Sequence, residues 1–211
     1  MAAIAILGSG NVAHTLGGAL ARNHRITIGS RNPTEAAVAW PGPDVRVTDL
    51  AEAACAGDVV VNALPGHVSV DVLRGLAPHL AGKVLLDVAN AVRFDARGFA
   101  SGLVHPGGSL AEELQRALPD VRVVKSLNTA HVSVMADPAS LSVPPSVFLS
   151  GDDADAKAAV AGLLAELGWR QDRIVDLGPV ESARAPEAFI LMVGGLVRHL
   201  GPVPFALAVA C

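Results

Sequence analysis

The chain is poor in aromatic and in charged residues. Of its 211 residues, aromatic side chains make up 3% and tyrosine is absent, while charged residues make up 17% and the formal net charge is −4. Because single-stranded nucleic acid is bound on aromatic platforms and along basic grooves, this composition argues against a nucleic-acid partner. Hydrophobic residues make up 51% of the chain, so much of it has to be covered by protein or membrane.

Cysteine is almost absent as well. Cys55 and Cys211 lie far apart, without a CxxC pair and without a cluster of histidines beside them. The spacing therefore predicts neither a disulfide framework nor a metal site. We expect Cys55 to be a small core residue, and Cys211 shows no chemistry of its own.

Long uninterrupted apolar segments with the flanks of an export signal or a membrane span are also lacking. Residues 1–21 are apolar but have no basic segment before them, which a signal peptide needs. Residues 188–210 are divided by Arg198, His199 and the sequence Gly201-Pro202, so each piece is too short to cross a bilayer of about 30 Å. We expect a soluble, cytoplasmic protein without a membrane partner.

Short apolar runs alternate with helical stretches through the first 128 residues, a pattern typical of parallel strands joined by crossover helices. Strands are predicted at Ala3–Leu7, Arg25–Gly29 and residues 45–47, 58–64, 83–88 and 121–125. Helices are predicted at residues 10–23, 50–56, 68–80 and 109–118. The fold class is therefore α/β, with a Rossmann-type, doubly wound, mostly parallel sheet in residues 1–128.

Residues 129–211 are predicted to form a small C-terminal α/β extension that completes the sheet. It contains a strand at residues 147–151 that extends the sheet, a helix at 154–167, a strand at 173–177 and a last helix at 186–200. The last helix is apolar on nearly every face, so it should be buried all round. A partner subunit is the simplest cover, so this is predicted to be a dimerisation helix. Residues 129–211 are thus expected to complete the acceptor pocket and to form the dimer interface.

A glycine motif directly follows the first strand and opens the first helix. It reads Gly8-Ser9-Gly10-Asn11-Val12-Ala13 and matches the GxGxxG/A pattern of dinucleotide-binding turns. Gly8 permits a tight turn, Gly10 lets the backbone approach a pyrophosphate, and Ala13 allows the helix to pack closely on the strand. The helix N-terminus then offers unpaired N–H groups to the phosphates.

The end of the second strand distinguishes between the two nicotinamide cofactors. An NAD site normally has Asp or Glu about 20 residues after the glycines, where it binds the ribose 2′-hydroxyl. This chain instead has Ser30 and Arg31, a hydroxyl and a planar cationic fork suited to a 2′-phosphate. The sequence therefore predicts NADP(H), and the alternative is that Arg31 is an ordinary surface arginine.

Two further loops follow the fourth and fifth strands. They contain Leu64, Pro65 and His67 in one case and Ala89 and Asn90 in the other. Ligands of such sheets bind outside the carboxyl ends of the strands, so both loops should border the cofactor. His67 has two equal interpretations, as a contact to cofactor or substrate or as a polar cap of the helix that follows.

Taken together, these segments resemble the coenzyme F420-dependent NADP oxidoreductase family over essentially the whole chain. The resemblance is carried by Gly8-Ser9-Gly10-Asn11, Gly29-Ser30-Arg31, the sequence Val124-Lys125-Ser126-Leu127-Asn128-Thr129, Gly151-Asp152-Asp153, Asp176-Leu177-Gly178-Pro179 and Ser182-Ala183-Arg184. It implies an enzyme that passes a hydride between NADP(H) and a deazaflavin, working as a homodimer closed by C-terminal helices. It also implies a cofactor site at Ser9, Gly10, Asn11, Val12, Ser30 and Arg31, with Pro65, Ala89 and Ser126 as further members.

The segment after the sixth strand points to two possible second substrates. Lys125-Ser126-Leu127-Asn128-Thr129 is also similar to a segment in the cytosolic domain of membrane ferric reductases, which pass a hydride from NADPH to a flavin. Archaeal deazaflavin enzymes have a histidine where Asn128 stands. The second substrate is therefore expected to be either the deazaflavin coenzyme F420 or a flavin.

Hydride transfer between two redox rings requires positioning in a dry pocket and no obligatory acid–base side chain. No catalytic triad is predicted, and the acceptor pocket is expected to be formed by Leu127, Asn128, Thr129, His131, Met135 and the tail around Pro202. His131 either protonates a substrate or is a structural loop histidine. Two other functions stay open, namely an NADPH-dependent reductase of a small imine, enamine or carbonyl compound, and a non-catalytic NADP-binding regulatory protein.

Overall fold

The computed structural model describes residues 1–210, so Cys211 and its thiol lie outside the described residues. Ten strands are present in this part of the chain: β1 (Ala3–Leu7), β2 (Arg25–Gly29), β3 (Arg46–Thr48), β4 (Val59–Asn62), β5 (Val84–Asp87), β6 (Val92–Phe94), β7 (Ala100–Leu103), β8 (Arg122–Lys125), β9 (Val147–Leu149) and β10 (Ile174–Asp176). The helices are α1 (Asn11–Leu20), α2 (Pro33–Ala39), α3 (Leu50–Ala56), α4 (Gly66–Gly75), α5 (Ala77–Leu80), α6 (Leu110–Ala117), α7 (Val132–Met135), α8 (Ala154–Glu166), α9 (Arg184–Ala188) and α10 (Ile190–Leu200). Short 3-10 turns lie at Pro138–Ser140, Gln171–Arg173 and Val180–Ala183.

Six of these strands form the central sheet, in the order β3-β2-β1-β4-β5-β8, and every neighbouring pair is parallel. The chain proceeds outward from β1 to β3 and then returns to place β4 on the other side of β1. This reversal between β1 and β4 is the switch point of a doubly wound sheet, beside which ligands bind. The predicted Rossmann-type fold is confirmed.

Helices cover both faces of the sheet, which explains why its strands are apolar on successive residues. Ile4 and Ile6 of β1 pack on one side in a cluster with α1 and α8. Ala5 and Leu7 pack on the other side with α3, α4 and α6. All five residues of β1 are buried, as expected for a central strand.

The prediction of one continuous helix at residues 68–80 is wrong. The helix begins at Gly66 and is divided into α4 and α5 around Leu76. Pro78 explains the interruption, because proline has no N–H to continue the hydrogen-bond ladder and its ring collides with the preceding turn.

The strand predicted at residues 147–151 does not extend the main sheet by a full strand. β9 pairs in parallel with β10 in a separate two-stranded sheet. Its contact with the main sheet is one antiparallel bridge, in which the backbones of Lys125 and Ser150 exchange hydrogen bonds of 2.9 and 3.1 Å. The segment runs antiparallel to β8 at this point and pairs with it only at Lys125, the last residue of β8.

The last helix begins earlier than predicted and is divided. α9 and α10 are separated by Phe189, and the Met192 N–H bonds to the Phe189 carbonyl at the tighter three-residue spacing. Within the single chain this helix is not buried all round, and its predicted cover by a partner subunit stays a prediction. Gly194 is the buried residue of α10, whereas Leu191, Met192 and Leu200 are exposed.

Cys55 is another correction. Instead of lying in the core, it is exposed on the outer side of α3, with its Sγ 3.1 Å from Nδ1 of His79. The core positions of α3 are taken by the smaller residues Ala53 and Ala54, which face the sheet.

A β-hairpin that the sequence reading did not predict connects β5 to α6. β6 and β7 pair antiparallel, and the turn between them is closed by Asp95, whose carboxylate accepts hydrogen bonds from the N–H groups of Arg97 and Phe99. The Phe99 ring lies against Gly194, so the hairpin rests on α10. The alternation of Val92, Arg93 and Phe94 before a polar turn is the signal that predicts such a strand.

No helix within residues 1–210 is long and apolar enough to span a membrane.

An ion pair joins the C-terminal segment to α6 and makes stability depend on pH. Arg184 Nε lies 2.9 Å from the Glu112 carboxylate, and this hydrogen bond holds the pKa of Glu112 below its ordinary value of 4.5. Since the folded-state pKa is lowered, the pair contributes stability above the unfolded value and loses that contribution as the pH falls through the folded value. Arg184→Met should therefore reduce the free energy of unfolding at pH 7 by a small, measurable amount, because the Arg184 side chain is half exposed and water weakens the pair.

Urea unfolding of both proteins between pH 7 and pH 3 measures this. The difference should shrink as the pH falls below 4.5, whereas Arg170→Met, which removes an exposed pair with Asp172 two residues away, should change little at any pH. A difference that is constant down to pH 3 would contradict the assignment.

Candidate functional site

The carboxyl ends of the central strands meet in one row at one edge of the sheet. The strand registers align Gly29 with Leu7, Leu7 with Asn62, Asn62 with Asp87, and Asp87 with Lys125. Two adjoining cavities lie beyond this row, as expected at the switch point of a doubly wound sheet.

The first cavity has a volume of about 870 Å³ and lies beyond β1, β2 and β4. Its walls bring together ten residues predicted as cofactor ligands: Gly8, Ser9, Gly10, Asn11, Val12, Ser30, Arg31, Leu64, Pro65 and His67. Sequence reasoning missed a further wall formed by Asn32, Glu35, Ala36, Ala39, Leu50, Val68 and Val72. Asn32, Glu35, Ala36 and Ala39 follow Arg31 along the chain, so their place near the cavity could have been predicted. Leu50, Val68 and Val72 lie on α3 and α4, and nothing in their local sequence indicates the contact.

The two motif glycines are required for different reasons. Gly8 has a φ of +123°, and a Cβ there would lie 2.5 Å from the Ala63 carbonyl oxygen, so the turn fits only glycine. A Cβ on Gly10 would meet nothing within 4 Å and would project into open space in the wall of the cavity. The open side of Gly10 is therefore available to a ligand.

The N-terminus of α1 faces the same space. Gly10 is its N-cap residue, and within the described residues no side chain caps the helix. Uncapped N–H groups and the positive end of the helix dipole together favour an anion such as a phosphate. The residues present thus fit the pyrophosphate of a dinucleotide.

The end of β2 offers polar groups in the same wall. Ser30 Oγ lies 3.2 Å from Ser9 Oγ and accepts a hydrogen bond of 3.2 Å from the Asn32 N–H. Arg31 is exposed on the cavity wall. Glu35, the nearest acid, accepts a hydrogen bond of 3.3 Å from the Asn32 side chain. Arg31 is therefore the cationic side chain that the end of β2 presents to the first cavity.

The second cavity is smaller, about 440 Å³, and mostly apolar. Of the predicted residues, Ala89, Asn90, Asn128, His131 and Met135 lie in its wall. Val12, Leu64, Pro65 and His67 belong to the walls of both cavities. A molecule that fills the first cavity therefore extends to the boundary of the second without crossing a separate protein layer.

The unpredicted hairpin forms one side of this second cavity. Val92 and Phe94 of β6 lie in its wall together with Ile190 of α10. Phe94 is 64% exposed, which is unusual for a phenylalanine in a chain with so few aromatic residues. It presents an apolar ring at the mouth of the cavity.

Four predicted parts of the site lie outside both walls. Ser126 and Thr129 are buried, and Ser126 Oγ finds no hydrogen-bond partner among residues 1–210. Leu127 is buried in the core, and the tail around Pro202 is exposed away from the cavities. Residues 126–129 are all buried, and of these four only Asn128 lies in the wall of the second cavity.

Asn128 owes its direction to a strained backbone. Leu127 has a φ of +63°, the one positive value among the non-glycine residues that the structure describes. Such a conformation costs about 1 kcal/mol or more and persists where the surroundings enforce it. Asn128 then pairs with Asn90 twice, since each side-chain amide donates a hydrogen bond of 3.0 Å to an oxygen of the other residue.

His131 has structural partners. Its Nδ1 lies 2.9 Å from Ser133 Oγ and accepts from the Ser133 N–H, so it caps the short helix α7. The backbone N–H of His131 donates a hydrogen bond to the Phe205 carbonyl in the C-terminal tail. The ring nevertheless lies in the wall of the second cavity, so both interpretations of this residue stay open.

A buried ion cluster lies directly beneath the loops that form the second cavity. Lys125 Nζ is 2.8 Å from Asp87 and 2.9 Å from Glu187, and its side chain is 1% exposed. Burial by itself would lower the pKa of Lys125, but the two carboxylates outweigh it, so the pKa is raised and the ammonium stays charged. From the sequence, Lys125 was predicted as the last residue of a strand and was given no role. Its partner Glu187 lies far away along the chain, so the sequence does not indicate the ion pair.

The described residues 1–210 hold no group of three or more His, Cys, Asp or Glu side chains suited to a metal ion.

Similar proteins fall into a consistent set. Residues 3–91 match the family described as "NADP oxidoreductase coenzyme F420-dependent". The F420-dependent NADP reductase of Methanocaldococcus jannaschii is 28% identical over 206 residues, which cover 92% of this chain and 91% of that protein. The Metalloreductase STEAP3 of Rattus norvegicus is 32% identical over 191 residues, covering 89% of this chain but 36% of the rat protein.

A solved structure extends the likeness to the whole chain. The crystal structure of a protein from Arthrobacter sp. FB24, provisionally described as an F420-dependent NADP reductase, superposes with a TM-score of 0.92. The two sequences are 37% identical, and the match covers 99% of each chain.

Proposed function

This chain belongs to the coenzyme F420-dependent NADP oxidoreductase family and is an NADP-dependent oxidoreductase, and from that premise we propose that it transfers a hydride between NADP(H) and a deazaflavin or flavin coenzyme. The observation that carries the proposal is the wall shared by the two cavities, formed by Val12, Leu64, Pro65 and His67. A nucleotide with its phosphates at α1 would place its ring at this boundary, beside an acceptor in the apolar cavity.

NADPH supplies the hydride, and the protein supplies position and a dry environment. The Gly10 backbone and the N-terminus of α1 would hold the pyrophosphate, and Ser30 with Arg31 would hold the 2′-phosphate. The Asn90–Asn128 pair and the apolar wall would fix the acceptor within about 3–3.5 Å of the donor carbon. Proximity of this kind requires no acid–base residue.

The identity of the second coenzyme is supported by the relatives and by the cavity wall. The relative from Methanocaldococcus jannaschii is named for coenzyme F420, and the rat relative is named a metalloreductase. The aliphatic wall, the exposed Phe94 ring and the paired Asn90 and Asn128 suit a flat heterocycle that has a polar edge.

A second candidate is reduction of a small imine or carbonyl compound. Such a substrate needs a proton as well as a hydride, and His131 in the wall of the second cavity is a suitable donor. The third alternative, a regulatory NADP-binding protein, would use only the first cavity.

One set of assays separates these candidates. The protein is mixed with NADPH deuterated at C4 and with oxidised coenzyme F420, FMN, FAD or a panel of cyclic imines, and the transfer of deuterium is followed by mass spectrometry. Deuterium in the deazaflavin supports the proposal, as does loss of the visible absorbance of a flavin under anaerobic conditions, which replaces the deuterium readout because the N5 hydrogen of a reduced flavin exchanges with water. Deuterium only in an imine supports the second candidate. Tight NADPH binding without transfer to any acceptor would reject catalysis and favour the regulatory protein.

Arg31 is the residue that we propose distinguishes NADPH from NADH. Arg31→Ala should weaken NADPH binding by about 1.5–3 kcal/mol, because a charge-assisted hydrogen bond to the 2′-phosphate is lost. NADH binding should change much less. Isothermal titration calorimetry with both nucleotides measures the two dissociation constants.

Arg25→Ala is the matched control, since Arg25 is an exposed arginine at the opposite end of the same strand. It should leave both affinities unchanged. An equal loss for NADPH and NADH in Arg31→Ala would contradict a 2′-phosphate role.

We also propose a homodimer formed through α10. Leu191, Met192 and Leu200 leave an exposed apolar surface on this helix, and Met192 is 57% exposed.

Met192→Glu should shift the protein from dimer to monomer in light scattering coupled to size exclusion, because a desolvated carboxylate would lie in the interface. Val38→Glu, at a residue 86% exposed on α2, is the control that should leave the mass unchanged. A wild-type protein of monomer mass would reject the interface.

A further inference from the structure

We propose that Lys125 is a positioning residue, which fixes the loop after β5 as the floor of the acceptor cavity. The proposal rests on the proposed function for its effect on turnover, but the anchoring itself is a property of the protein alone. It assigns a task to a buried charged group that takes no direct part in the hydride transfer described above.

The first argument is that the ion cluster holds both backbone groups of Ala89. Lys125 Nζ donates a hydrogen bond to the Ala89 carbonyl, and Asp87 Oδ1 accepts a hydrogen bond of 3.2 Å from the Ala89 N–H. Ala89 lies in the wall of the second cavity. A lysine and an aspartate from neighbouring strands therefore hold the two peptide groups that flank the Cα of Ala89.

The second argument is that the restraint passes on to the opposite loop. Asn90 follows Ala89 directly and pairs with Asn128, which lies in the cavity wall as well. Asn128 in turn follows the strained residue Leu127, close to Lys125 along the chain. Lys125 is therefore tied to the wall twice, through a hydrogen bond to one loop and through the chain to the other.

The third argument is that the lysine has no access to a substrate. Its side chain is 1% exposed, it lies in neither cavity wall, and its three hydrogen-bonding partners are all protein groups. Burying one cation with two carboxylates is costly, so the arrangement calls for an explanation other than stability. The cluster instead holds the backbone N–H and carbonyl of Ala89 in a fixed orientation, which is such an explanation.

Glu187 has a different task within the same cluster. Its carboxylate accepts hydrogen bonds of 2.8 and 3.1 Å from the N–H groups of Leu110 and Ala111 at the start of α6. It makes no contact with Ala89. Loss of the Glu187 charge should therefore reduce stability without releasing the loop, which provides an internal control.

The anchoring is tested first by hydrogen–deuterium exchange, which needs no substrate. In Lys125→Met, amides in a peptide covering residues 84–94 should exchange at least about tenfold faster than in the wild type, while those of α8 on the far side of the sheet should not change. Unchanged exchange in residues 84–94 would overturn the proposal.

The consequence for catalysis is tested by steady-state kinetics with the acceptor that the deuterium-transfer assay selects. Lys125→Met should lower kcat by about 100-fold, since a misplacement of about 1 Å has that effect, while the Kd of NADPH changes less than about twofold. Glu187→Gln should lower Tm with little change in kcat. Lys157→Met, which removes a similar bond to Asp176 and to a backbone carbonyl away from the cavities, should also spare kcat.

If Lys125→Met does not fold, Asp87→Asn is added to it. This double variant removes the charges of Lys125 and Asp87 together, and the amide oxygen of the new asparagine can still accept from the Ala89 N–H. It should show the same loosening of residues 84–94. A fall in kcat that merely follows Tm across all variants, including Glu187→Gln, would overturn the positioning role. A wild-type protein without turnover but with the expected exchange pattern would reject the proposed function and leave the anchoring supported.

Discussion

Gly10→Val is expected to abolish the binding of NADPH and NADH while the protein stays folded. A Cβ at residue 10 would meet no protein atom within 4 Å, so the chain itself tolerates the larger side chain. The added methyl groups would instead occupy the space at the start of α1 where a pyrophosphate approaches the backbone. The expected loss is at least about 100-fold in affinity, or ~2.8 kcal/mol.

Calorimetric titration with each nucleotide and thermal unfolding measure the two halves of this result. Gly18→Val is the matched control, because Gly18 lies on the same helix, also has open space at its Cβ position, and is away from the cavity wall. It should leave the protein folded and nucleotide binding unchanged. Retained nucleotide binding in Gly10→Val would show that the turn has another role.

Gly66→Ala is expected to reduce hydride transfer by about 100-fold without removing nucleotide binding. A Cβ at residue 66 would lie 2.3 Å from the Asn90 carbonyl oxygen and 2.6 Å from the Ala91 nitrogen. Both are backbone atoms, so α4 and the loop after β5 must move apart. These two segments form the shared boundary and the acceptor wall, where a displacement of about 1 Å is costly.

Gly75→Ala provides the comparison, since Gly75 ends the same helix and nothing lies within 4 Å of its Cβ position. That variant should keep full activity and gain or lose little stability. Single-turnover kinetics with NADPH bound in advance separate chemistry from binding in both proteins. Normal turnover of Gly66→Ala would mean that the acceptor is not seated against the Asn90 loop.

The central sheet and the nucleotide cavity were largely predictable from local patterns. β1 and β2 begin and end at the predicted residues because buried parallel strands are apolar on both faces and leave a continuous signal. The glycine motif and Arg31 were predictable because each residue is required by local chemistry at a known end of a strand.

The acceptor cavity was less predictable because it depends on distant parts of the chain. Asn128, His131 and Met135 were predicted, but Ile190 and Phe94 join them from two other segments, and nothing near either residue in the sequence indicates the contact. The same holds for Lys125, whose partner Glu187 belongs to the C-terminal segment. Polar residues in buried networks have no periodicity that a sequence reading detects.

The last helix shows a different limit. Its apolar faces were recognised, but periodicity does not distinguish a face covered by the same chain from one left for another molecule. Only the exposure of Leu191 and Met192 in the folded chain makes that distinction. Cys55 was misplaced for a related reason, because small apolar residues occur on both sides of α3.

The wall common to the two cavities has a consequence for inhibitor design. A single molecule that joins an adenosine phosphate portion to a flat apolar group could occupy both cavities by passing Leu64 and Pro65, which belong to both walls. Once its phosphates are bound at α1, binding of the apolar group is intramolecular and occurs at a high effective concentration. The affinity of such a linked ligand should therefore exceed that of either half by far more than its added contacts alone provide.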